Sequence, residues 1–186
     1  MNYEIVEEIR KFVEGECKKE SSKYGYEPHI NHFVPTAKYA KILAEKENAD
    51  IEVVEIAAWL HDIGSIIYGR ENHHITGAEI AEKKLRELGY PEERIEKVKK
   101  CIFNHRGSVD CVRESKEEQV IADADAINAF DHIEGLFRAA FVSENLNQEK
   151  ARESVRKKLI NCYNKLSQNA KEIIKPKYKA AMLLLN

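Results

Sequence analysis

The chain is poor in the features that would place it outside ordinary helical soluble proteins. Its four cysteines (Cys17, Cys101, Cys111, Cys162) include no CxxC pair. That fits reduced thiols in a cytosolic setting better than a disulfide framework or a structural zinc knuckle. Charge of one sign is also missing: 30 basic against 32 acidic residues give a net charge of -2. No overall field selects nucleic acid or an anionic membrane, so an anionic substrate has to be held by local groups. No apolar run approaches the roughly 18 residues of a membrane span, and MNYEIVEEIRKFVEGE has no signal-type apolar stretch. A cytoplasmic location is expected. Internal repeats, low-complexity tracts and linkers are absent, and strand-type alternation is nearly so.

What is present is helical periodicity. At 186 residues, 43% apolar and 33% charged, the chain can bury a core as one all-α domain. Ile5, Ile9, Phe12 and Val13 predict a helix from Tyr3 to about Lys19. A second is expected from Ile30 to Glu47, with Pro35 in its first turn, and a third, capped by Asp50, ends at Gly64. SIIYGRENHH reads as a loop. Thr76 and Glu79 form a capping box for a fourth helix that stops at Gly89. Pro91 opens a fifth, which reaches Asn104 or His105 and is closed by Gly107. EEQVIADADAINAFDHIEG reads as a sixth helix, and two or three more follow, with a kink at Pro176.

Polar residues with metal-binding capacity collect at helix ends: His32, the doublet His61-Asp62, the pair His73 and His74, and His105. Asp125 shares a helical stripe with Ile121, Ala124 and Asn128. A carboxylate on an inward stripe needs a partner, and a metal ion satisfies it. Imidazole with carboxylate suits manganese, iron, cobalt, nickel or zinc better than calcium. Trp59, Phe130 and Phe137 read as core aromatics.

The order His32, then HDIG (His61 to Gly64), then Asp125 within IADADAINAF resembles the signature of the HD superfamily of metal-dependent phosphohydrolases. HHITGAEIA resembles the histidine and glycine element that follows the doublet. The resemblance covers roughly residues 29–141, with residues 142–186 completing the bundle. It implies a single HD-type domain of about seven to nine helices. His32, His61, Asp62 and Asp125, preferred over Asp123, are then the ligands of a divalent ion. Asp62 and His61 are the implied catalytic pair, with Asp62 both ligating and orienting the attacking water. His73, preferred over His74, and His105 hold a second ion or contact phosphate. Arg106 and Arg138, with Lys38 ranked below them, are the candidate substrate cations. The implied activity is hydrolysis of a phosphomonoester, diester or anhydride of a nucleotide or other small metabolite, by water activated at one or two ions (Mn, Ni, Fe, Co, Mg or Zn). A di-iron oxygenase and a non-catalytic nucleotide-binding or partner-binding domain are the alternatives. Neither nucleic acid nor membrane is expected as a partner. The apolar tail AAMLLLN leaves monomer and homodimer open.

Overall fold

The computed structural model describes residues 3–106 and 112–186, and among them all regular structure is helical. The expectations at Gly107 and Cys111 lie outside the described residues. Helix α1 (Tyr3–Lys18) buries Ile5, Ile9, Val13 and Cys17 from successive turns of one face. A π-helical turn (His29–Phe33) leads into α2 (Val34–Glu47), and then come α3 (Ile51–Leu60) and the short α4 (Ile63–Tyr68). Helices α5 (His73–Glu87) and α6 (Glu92–Asn104) form an antiparallel pair across the turn at Gly89, whose φ is +68°. Helix α7 (Lys116–Asp131) crosses the bundle. Helix α8 (Ile133–Arg138), a second π-helical turn (Ala139–Ser143), α9 (Gln148–Lys165) and α10 (Gln168–Leu184) complete the chain.

The core is organised around α3, which touches α1, α2, α5, α6 and α7. Every residue of α3 except Ile51 and Glu55 is buried, so the helix is enclosed rather than amphipathic. Its N-terminus is tied down by charge. Asp50 accepts from the Val53 amide at 3.2 Å, and Arg94 on α6 reaches Asp50 at 2.6 Å and the buried Glu52 at 2.7 Å. The Tyr90 hydroxyl donates to the same Glu52 at 2.9 Å. This arrangement satisfies a carboxylate that would otherwise be stranded.

Several local expectations are corrected. The second helix does not begin at Ile30, because residues 29–33 are wound as a π turn, which sets His32 apart from the α2 face. The third helix ends at Leu60, and Gly64 is a residue inside α4 rather than a cap. Consequently Ser65 to Tyr68 is helix and not loop. Helix α5 starts at His73, earlier than a Thr76 box allows, after Asn72 in the left-handed region (φ +52°). The reciprocal cap is instead at α7, where Ser115 Oγ accepts from the Glu118 amide at 3.2 Å and donates to Glu118 at 3.0 Å. The expected sixth helix breaks at His132, and Pro176, where a kink is expected, lies inside α10. Trp59 and Phe130 are buried, Phe137 packs half-buried on the core, and Cys17, Cys101 and Cys162 are free thiols.

Candidate metal centre

Helix ends assemble the site. The α3–α4 junction supplies His61 and Asp62, the π turn His32, the start of α5 His73, the end of α6 His105, and mid-α7 Asp125. Among the described residues, His32, His61 and Asp125 have ligand atoms mutually within 4.8 Å, and so do Asp62, His73 and His105. Asp62 joins the two halves. Its Oδ2 lies 3.3 Å from His32 Nε2, while its Oδ1 lies 3.2 Å from His73 Nε2 and 3.5 Å from His105 Nε2. Asp125 Oδ1 stands 3.6 Å from His32 Nε2 and 3.7 Å from His61 Nε2.

The rings are aimed by their outer nitrogens. His61, His73 and His105 each meet, with Nδ1, the carbonyl three residues earlier: Ala58 at 2.8 Å, Arg70 at 2.8 Å and Ile102 at 2.5 Å. A carbonyl only accepts, so these Nδ1 atoms carry protons, and each ring in its neutral form turns an Nε2 lone pair inward. Those lone pairs face a carboxylate. Asp62 Oδ1 is buried and accepts no hydrogen bond. Bare nitrogens around an unpartnered carboxylate oxygen are a donor set that fits a divalent cation, with its outer hydrogen bonds already made.

Until an ion takes the inner nitrogens, the same rings, when protonated, stabilise the carboxylates. Burial opposes the charge on Asp62, yet His105 and His32 hold its carboxyl well below the usual range. Burial likewise opposes charge on Asp125, and His61 and His32 outweigh it and lower its pKa. His32 is raised, because Asp62 and Asp125 overcome its desolvation, whereas burial pushes His73 down.

The cluster opens into a cavity of about 950 Å³. Helix α7 forms one wall, on which Asp125 and Asn128 face one side of the cavity and Gln119 and Asp123 the other. Ala122, Ala126 and Ala129 lie between them and keep the space open, as the roughly 100° step of a helix dictates. Arg106 and Arg138 line the cavity, and Arg138 pairs with Glu27 at 2.9 Å. Lys38 and His74 do not line it. Lys38 is exposed on a different face of α2, and His74, one residue around α5 from His73, sets its ring against Phe103. Asp123 turns away from the cluster to Gln119 at 2.8 Å and the Ser167 amide at 3.2 Å. Sequence reasoning missed Arg70, Arg113, Lys158 and Lys165 among the lining cations, since nothing in their local pattern separates them from surface charge. It also missed the role of Asn128, although the residue sits one turn beyond Asp125 on the predicted stripe.

The HD domain family model matches residues 30–129. The chain is similar to a tRNA (cytidine(56)-2'-O)-methyltransferase of Thermoplasma volcanium, 33% identical over 120 residues, covering 59% of this chain and 34% of that protein. It is also similar to ribonuclease Y of Enterococcus faecalis, 33% identical over 102 residues, covering 54% of this chain and 18% of that protein. It therefore spans about a third or less of these curated relatives. Among solved structures, Bacillus subtilis YpgQ in complex with ADP aligns over 96% of this chain and 92% of its own, with a TM-score of 0.69 and 23% identity. Lin1889 of Listeria innocua aligns over 100% and 94%, with a TM-score of 0.75 and 20% identity. A predicted HD superfamily hydrolase from an uncultured Thermotogales bacterium aligns over 82% and 83%, with a TM-score of 0.57 and 27% identity. With its doublet, flanking histidines and aspartate gathered at the end of a helical bundle, the chain belongs to the HD domain family.

Proposed function

We propose that this HD domain is a metal-dependent phosphohydrolase acting on a nucleotide or another small phosphorylated metabolite. The observation that carries this reading is the six-residue cluster bridged by Asp62 at the wall of a cavity rimmed with arginines and lysines. One or two divalent ions bound there supply Lewis acidity toward phosphoryl oxygens and lower the pKa of an attacking water. His32, His61, Asp62 and Asp125 form one binding half, and His73 and His105 share Asp62 in the other. Asp62 would ligate the ion and orient the attacking water by accepting a hydrogen bond from it. Arg106 and Arg138 hold the remaining phosphate charge, with Arg70, Arg113, Lys158 and Lys165 as further lining cations. A small ligand suits an open cavity of this size. The net charge of -2 offers no broad field for a polynucleotide. The ADP present with the similarly folded YpgQ supports a nucleotide as the first substrate class to test.

The test is release of phosphate or pyrophosphate from a panel of nucleotides and phosphoesters, with manganese, nickel, cobalt, zinc, magnesium or iron supplied. Wild type is compared with Asp62→Ala. Metal-dependent turnover that the variant lacks, at unchanged helical content, is expected. Silence across the panel with metal still bound would overturn the hydrolase reading. The two-half cluster also suits a pair of irons, and oxygen consumption by the iron-loaded protein is the result that would favour an oxygenase.

A further inference from the structure

Three of the four clustered imidazoles are aimed alike, and His32 is the exception. It lies in the π turn, and its outer nitrogen meets a side chain: Asn128 Nδ2 approaches His32 Nδ1 at 2.9 Å. The same amide nitrogen donates to the Asn31 carbonyl at 3.1 Å. Because that carbonyl can only accept, the nitrogen end of the amide must face it, and the orientation of Asn128 follows. In neutral His32, Nδ1 is then the acceptor and the ring proton sits on Nε2, 2.8 Å from His61 Nε2 and 3.3 Å from Asp62 Oδ2. With all four rings neutral, one inner N–H stands among three inner lone pairs. At its other end the amide is unsatisfied: Asn128 is 4% exposed, and its Oδ1 is buried without a partner.

We propose that Asn128 is a two-position positioning residue: as a donor it holds His32 in the Nε2–H form, and turned over it accepts Nδ1–H and presents a bare Nε2 to a metal ion. The proton leaves Nε2 and one arrives at Nδ1 of the same ring by exchange with solvent, so no proton is gained or lost overall. Turning the amide takes the donor away from the Asn31 carbonyl and gives Oδ1 the partner it lacks. Asn31 lines the cavity. Occupancy at His32 is thereby coupled to the π turn at the cavity wall. The idea rests on the metal-centre reading of the cluster and is independent of which reaction the domain performs.

Nitrogen-15 NMR of the histidine rings tests it, first on the metal-free full chain at a pH where His32 is neutral and then with zinc, which is diamagnetic. The expected result is Nε2–H on His32 and Nδ1–H on His61, His73 and His105 without metal, with His32 changing to Nδ1–H when zinc is added. Asn128→Asp, which can only accept, should set Nδ1–H before zinc is added and should bind zinc at least as tightly by calorimetry. Asn128→Leu should weaken zinc binding by about 10–100-fold. Nδ1–H on His32 in the metal-free wild type, or one tautomer before and after zinc, would overturn the proposal. So would equal weakening by both variants, which is what a residue that merely fills space produces. If zinc does not bind at all, the metal-centre reading fails, and the metal-free spectrum still decides how Asn128 holds His32.

Discussion

Gly64 offers the most direct check on how the doublet is held. A Cβ built there would lie 2.5 Å from Thr76 Oγ1 and 2.8 Å from the Gly77 nitrogen, and closer still to the His73 carbonyl oxygen. Two of these three atoms are α5 backbone, which cannot rotate aside. Real Cβ contacts essentially never fall under 3.0 Å, so Gly64→Ala must drive α4 and α5 apart by at least several tenths of an ångström. Overpacking of this kind costs about 1–3 kcal/mol. At this chain length that corresponds to a fall in Tm of roughly 2–4 °C per kcal/mol. The displacement falls on the candidate metal centre, because α4 follows Asp62 directly and α5 opens with His73, whose Nε2 is 3.2 Å from Asp62 Oδ1. Gly77 is the internal control. A Cβ there meets Ile102 Cγ2 at 3.3 Å and the Gly64 nitrogen at 3.5 Å, so Gly77→Ala should cost under about 1 kcal/mol. Thermal melts and metal titrations by calorimetry on the two variants form the assay. Gly64→Ala with wild-type Tm and metal affinity would refute the reasoning, as would a larger loss for Gly77→Ala.

Two further outcomes follow from the site. Arg138→Ala should raise KM with kcat nearly unchanged, and should shift stability by no more than about 0.5 kcal/mol, because its pair with Glu27 leaves both side chains more than 70% exposed. An unchanged KM would remove Arg138 from the substrate site. Chelation should lower Tm and readdition of metal should restore it; metal at 100 times its Kd contributes about 2.7 kcal/mol through mass action. A Tm indifferent to chelator, on protein shown to be metal-loaded at the start, would place the ion outside the folded centre.

The periodicity of apolar residues is a local property, and it was enough to establish an all-helical fold and the face α1 buries, whereas the enclosure of α3 on all sides was visible only in the structure. The order His32, His61-Asp62, Asp125 was legible too, since those residues stand at helix ends or on an inward stripe that can be read within a few turns. Spacing alone could not show where helices break. The π turn before α2, the split after Leu60 and the break at His132 answer to packing between elements distant in sequence, so a continuous pattern concealed them. Gly64 illustrates the difference. From the sequence it reads as the end of a helix, whereas the structure uses its missing side chain to let α5 backbone approach. Which histidine of the pair 73 and 74 turns inward, how Asp62 serves both halves, and how Asn128 reaches His32 across 96 positions were decided by the tertiary structure. These depend on the relative rotation and offset of packed helices, which is set by side chains from many segments at once and is written in no single one of them.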